Sequence, residues 1–105
     1  MSGRRIVRIT ERFVSPMMEM RVREVMASVE KDIRKTKGLL RIETMVDKFD
    51  PNRHVFITEW NSRKNLDNWL ASDLHKETVK RIETVLLKKV VAREFIRHED
   101  DVFLL

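Results

Sequence analysis

Apolar side chains in this chain recur at two spacings, and the order in which the spacings alternate limits the fold more than any single motif does. Over residues 5–14, RIVRITERFV, the period is two. Val7, Ile9 and Phe13 fall on one side and Arg8, Thr10 and Arg12 on the other, which predicts a strand. The period then lengthens: Met18, Val22, Val25, Val29 and Ile33 form one helical stripe. Ser15 and Pro16 are expected as its N-cap and first helical residue, and Gly38, after Lys35 and Lys37, as its stop signal. Period two returns over residues 39–49, LLRIETMVDKF, and again over 54–60, HVFITEW. Asp50-Pro51-Asn52 lies between them and is turn chemistry, so the two stretches predict a hairpin. Ser62 is placed to cap a short helix carrying Leu66, Trp69 and Leu70. Ser72-Asp73 is placed to cap a further helical piece with His75, Val79, Ile82 and Leu86 on one stripe. Residues 90–98, VVAREFIRH, read as the last strand.

The order βαββαβ, with a hairpin between the central strands, predicts an α+β fold of the ferredoxin-like kind: a four-stranded antiparallel sheet with helices on one face. The uncovered face is expected to carry Arg8, Arg12, Arg41 and Glu43 beside Leu39 and Met45. Met45, with Phe56 and Trp60 of the third strand, is costly to leave in water. The sequence therefore favours a homodimer closed through the open sheet faces. A length of 105 residues fits one domain over residues 1–105, with 99–105, EDDVFLL, as a C-terminal tail.

Composition removes several function classes. No apolar run approaches the ~18 residues of a membrane span, and the basic start MSGRRIVRIT has no apolar core or small-residue cleavage site of a signal peptide. With 0 cysteines, disulfides, thiolate nucleophiles and Cys-based metal sites are excluded, and a cytoplasmic location is the expectation. The net charge is +5, but positive and negative residues are interleaved, as on solvated helix faces, rather than gathered into a nucleic-acid footprint. Neither VVAREFIRH nor LLRIETMVD supplies the aromatic pattern by which a ferredoxin-like sheet stacks RNA bases. The three histidines, His54, His75 and His98, lack two-histidine metal spacing, so no metal is expected. His54 begins a strand and His98 ends one, and both are expected at the surface. Glu43 and Glu59 lie on neighbouring strands without the pattern of an acid–base pair.

From Gly38 to Val79 the chain resembles antibiotic biosynthesis monooxygenase (ABM) domains. The resemblance rests on Gly38 opening a strand, the Asp50-Pro51 turn, the segment TEWNS running into a helix, and WLASDLH after it. It implies a dimeric α/β barrel with a pocket in each protomer between sheet and helices. It implies relatives that oxygenate quinols or anthrones without metal or flavin, and others that degrade heme. Heme-degrading relatives use an Asn on the first strand, a Trp in the second helical region and a proximal His. Here Trp69 matches the Trp, whereas Thr10 stands at the Asn position and Val79 at that of the His. Oxygenases of the anthrone type also use tyrosines, and this chain has 0.

These readings nominate His75 and Trp69 as catalytic residues, and Thr10, Phe56, Trp60 and Trp69 as walls of a substrate site. An unperturbed imidazole titrates near ~6.5 and suits proton abstraction at neutral pH. The leading expectation is a cofactor-free monooxygenase acting on a small aromatic ligand. A non-enzymatic dimeric ligand-binding module and a heme-binding or heme-degrading protein stand as the alternatives.

Overall fold

The computed structural model describes residues 4–86 and 91–97. Its elements are β1 (Ile6–Phe13), α1 (Glu19–Ile33), β2 (Leu39–Val46), β3 (Arg53–Trp60), α2 (Arg63–Ala71), α3 (Asp73–Glu83) and β4 (Val91–Ile96). All strand pairs are antiparallel, in the order β2-β3-β1-β4. This is the ferredoxin-like α+β arrangement expected from the alternating periods, with the second helical region broken in two. The tail from residue 98, which includes His98, lies outside the described residues.

Helix α1 buries the expected stripe of Val22, Val25, Val29 and Ile33. It begins later than Ser15-Pro16 suggests. Ser15 instead donates its backbone N–H to Val85 O at 2.9 Å, Met17 adopts a left-handed φ of 67°, and the helix starts at Glu19. The Ser62 and Ser72 caps form as expected, their hydroxyls accepting from the N–H of Asn65 at 3.2 Å and of His75 at 3.1 Å. Strand β2 stops at Val46 rather than Phe49, because the Asp47 carboxylate turns the chain by accepting from the N–H groups of Phe49 and Asp50.

The two faces of β1 are reversed relative to the sequence expectation. Ile6, Arg8, Thr10, Arg12 and Val14 lie beneath the helices, in the core or on a cavity wall, while Val7, Ile9, Glu11 and Phe13 take the open side. The reason is register. β1 pairs with β3 so that Thr10 stands opposite Phe56 and Ile6 opposite Trp60. Phe56, Thr58 and Trp60 are buried on the helical side, and cross-strand partners share a face. Arg41 and Glu43 do lie on the open side. Arg41 binds both Glu43 and Glu59, and Glu59 also receives Arg97 Nε at 2.8 Å and Nη2 at 3.0 Å. The two glutamates therefore share a face as members of an ion-pair network.

Beneath the helices the core has two parts. One gathers Ile6, Ile33, Phe56, Trp60, Leu66 and Trp69, and the other gathers Val14, Val22, Val25, Val29, Ile82 and Val85. On the open face Met45 and Phe95 remain 46% and 49% exposed.

Gly38 is not the helix stop, since α1 ends at Ile33. It turns the chain into β2 at φ 90°, and a Cβ there would lie 2.5 Å from Asn65 Cβ. Gly38→Ala should therefore cost about 1–3 kcal/mol through strain at positive φ alone, with displacement of Asn65 adding to it. Urea unfolding of the two proteins measures this as a lower midpoint.

Candidate functional site

The space between the two core clusters is a cavity of about 640 Å³, within the usual range of small-ligand sites. Its floor is the helical side of β1 and β3: Arg8, Thr10, Arg12, Phe56 and Thr58. Its walls come from α1 through Val29 and Ile33, from α2 through Trp69, and from α3 through His75, Thr78, Val79 and Ile82. Arg81 of α3 fastens α3 to α1, with Nη2 at 2.7 Å from Asp32 Oδ2.

Four of the five residues nominated from the sequence, Thr10, Phe56, Trp69 and His75, line this cavity. Trp60 does not. It is 0% exposed and stands behind Trp69, the two rings stacked with centroids 6.2 Å apart. Its Nε1 donates to Thr58 Oγ1 at 2.9 Å, which satisfies the one polar atom of a buried indole. Trp60 is thus the backing of the wall that Trp69 presents.

Trp69 and His75 meet edge to face, with ring centroids 5.1 Å apart. Ser72 produces this contact. Its backbone (φ −73°, ψ 152°) breaks the helix. Its hydroxyl donates to Trp69 O at 2.6 Å and accepts from His75 N at 3.1 Å. Burial first, then the positive charge of Arg8, pushes the His75 imidazole below its ordinary value of 6.5; the Leu70 carbonyl opposes this and Arg12 adds to it. His75 is therefore a neutral imidazole at neutral pH.

Two arginines the sequence reading placed on the other face bring positive charge into the site. Arg8 is compensated: its Nη1 lies 2.8 Å from Glu94 Oε2, and Glu94 also holds Arg63 at 2.7 Å. Arg12 is not. It is 7% exposed, and its Nε and Nη1 are buried without a hydrogen-bond partner. Its guanidinium lies over the Phe56 ring, 4.7 Å from the centroid, a cation–π contact. Burial, with Arg8 as the lesser cause, holds it down to about 10, so it stays cationic at neutral pH. The alternation that put Arg12 on a polar face was correct, but that face lines a cavity instead of meeting bulk water.

Thr10 and Val79, which the resemblance sets at the Asn and proximal His of heme-degrading relatives, both face the cavity. Neither side chain can serve as an axial nitrogen ligand, and His75 is the one imidazole among the described lining residues. The described residues do not fit the heme-degrading set. They also contain no group of three His, Cys, Asp or Glu that could hold a metal ion.

Residues 5–81 match the sequence model of the antibiotic biosynthesis monooxygenase family. The chain belongs to that family. Several solved structures share the ABM fold at low identity. A conserved protein from Methanosarcina mazei Go1 superposes with a TM-score of 0.83 at 18% identity, over 90% of this chain and 94% of that one. An antibiotic biosynthesis monooxygenase gives 0.79 at 22%, over 90% and 99%. SnoaB from Streptomyces nogalater, a cofactor-independent oxygenase, gives 0.81 at 12%, over 95% and 99%. No curated protein matches the chain in sequence. ABM membership supports monooxygenase chemistry in general.

An uncompensated buried charge weakens a fold. Arg12→Met should therefore raise the stability of the ligand-free protein, by about 0.5–2 kcal/mol, the usual gain from a single stabilising exchange. Thermal unfolding of the two proteins checks the sign.

Proposed function

We propose that this chain is a cofactor-independent monooxygenase of the ABM type, acting on a small aromatic substrate of the quinol or anthrone kind. The observation that carries the proposal is the His75 imidazole set edge to face against Trp69 on the wall of a ligand-sized cavity, where burial and the charge of Arg8 favour its neutral form. In this reading His75 takes the acidic proton of the substrate. The anion that results is electron-rich enough to pass an electron to dioxygen directly, and the two radicals combine. For an anthrone the balance closes without a further reductant: the ring CH₂ and O₂ give a ring carbonyl and one water. Trp69, Phe56 and Thr10 line the substrate site, and the apolar walls exclude water that would otherwise quench the anion. Trp60 contributes by holding Trp69 in place.

The oligomer belongs to the same proposal. On the open sheet face Val7, Ile9, Phe13, Ile57, Met45 and Phe95 are interleaved with the ion-paired Arg41, Glu43, Glu59 and Arg97, and a second copy would cover this mixed surface, closing a barrel of two sheets. Introducing a charge with Phe95→Asp should convert a dimer into a monomer, as read by light scattering after size exclusion.

A second reading, a ligand-binding module without chemistry, is favoured by the absence of tyrosine, 0 in the chain. Oxygen uptake with a quinol or an anthrone such as dithranol separates the two. His75→Ala should lower kcat/KM by about 10²- to 10⁴-fold, the usual worth of a general base. A base acts only when unprotonated, and the His75 value is lowered from 6.5. The wild-type kcat/KM should therefore stay level as pH falls through 6.5 and decline only below it. Uptake that is absent in the wild type, or unchanged in His75→Ala, removes the proton-abstraction role.

A further inference from the structure

We propose that the cavity recognises an acidic ligand: a flat apolar body bearing an anionic oxygen, which sits on the guanidinium of Arg12. This rests on the oxygenase reading only in naming its substrate class, and its test reads binding alone.

The inference starts from a charge with nothing to balance it. A guanidinium has five N–H donors and cannot act as an acceptor. Buried charges in folded proteins are paired, because an unpaired one loses its hydration without compensation. Among the described residues no carboxylate pairs with Arg12. The acids around it are committed or apart. Glu94 is shared by Arg8 and Arg63, Glu11 lies on the other face of β1 bound to Arg53, and Glu83 lies on the α3 wall without an ion pair to Arg12. Arg81, also buried in part, differs in using both Nη groups, on Ser28 and Asp32.

The surroundings select the kind of anion. The Phe56 ring covers one side of the Arg12 guanidinium, so a partner approaches through the N–H edges, where a planar carboxylate or an aromatic oxyanion bonds best. Val29, Ile33, Ile82 and Leu86 line the rest of the space with apolar surface, which suits a ring system and not a hydrated ion. Arg8 shares the Glu94 carboxylate with Arg63, which leaves Arg12 as the cation on the β1 floor without an ion pair among the described residues. The anion has two possible sources: a carboxylate already ionised in solution, or a phenolic oxygen ionised within the site.

The test is calorimetric titration of the intact protein at pH 7.5 with 1-hydroxy-2-naphthoate and with its neutral amide. A second arm follows the 400 nm absorbance of 4-nitrophenol, which reports its ionisation. The wild type should bind the acid about 10- to 100-fold more tightly than the amide, the range expected for hydrogen bonds to a charged group, or should increase the phenolate fraction on binding. Acid preference assigns a pre-ionised carboxylate, and the phenolate response alone assigns an anion formed in place. Arg12→Gln should remove whichever effect is seen, and Arg12→Lys should keep part of it. Equal binding of acid and amide together with no phenolate response overturns the proposal, as does an effect that survives in Arg12→Gln. The wild-type comparison decides the matter even if a variant fails to fold. Acid preference without oxygen uptake would retain the anion site and reject the oxygenase.

Discussion

The stacked pair of Trp60 and Trp69 ties the sheet to the helices, and much of the remaining structure follows from it. Trp60 ends β3 fully buried, and Trp69 lies on it from α2. Each such side chain contributes about 1.5–3 kcal/mol by burial, and an aromatic pair adds about 0.5–1.5 kcal/mol. Burying Trp60 fixes which face of β3 lies beneath the helices. The antiparallel register carries that choice to β1, and so decides that Arg8, Thr10 and Arg12 face inward. The floor of the cavity is thus set by an indole that does not touch it.

The strand and helix order was legible in the sequence because each segment keeps one apolar period. Ser62 and Ser72 announced their helices because a capping hydroxyl acts within three residues. The start of α1 was not legible, since Ser15 has a distant partner, Val85, that takes its N–H into another contact. The inward face of β1 was not legible for a different reason. Alternation separates two faces without saying which is covered, and both faces of this strand hold partly or fully buried residues. Hydrophobicity favoured Val7, Ile9 and Phe13 for the covered side. The structure gives that side to the polar set, because a cavity floor tolerates polar groups where a close-packed core would not.

Within the candidate site, Trp69 and His75 were visible as residue types in a recognisable segment, as were Thr10 and Phe56. Arg12 was visible only as one charge among many. Its distinction lies in what surrounds it: no acid within reach, an aromatic ring on one side and an empty space beyond. None of these is written in local sequence. The same absence of partners that makes Arg12 a burden on the free fold is what the proposed anion site draws on, so in that proposal stability and recognition oppose each other at this residue.

The hydroxyl of Ser72 bridges the backbones of Trp69 and His75. On an uninterrupted helix, at 3.6 residues per turn, these two side chains would point about 120° apart. The corner brings them into contact using only the segment WLASDLH. The indole–imidazole pair is consequently a local unit, whereas the charge on the floor is delivered by a remote strand. The two can vary independently over generations: exchanging the floor residue would change the charge of the cavity, while the indole–imidazole pair stays intact. A small fold of this kind can diversify its ligands by point changes in one strand without rebuilding the rest.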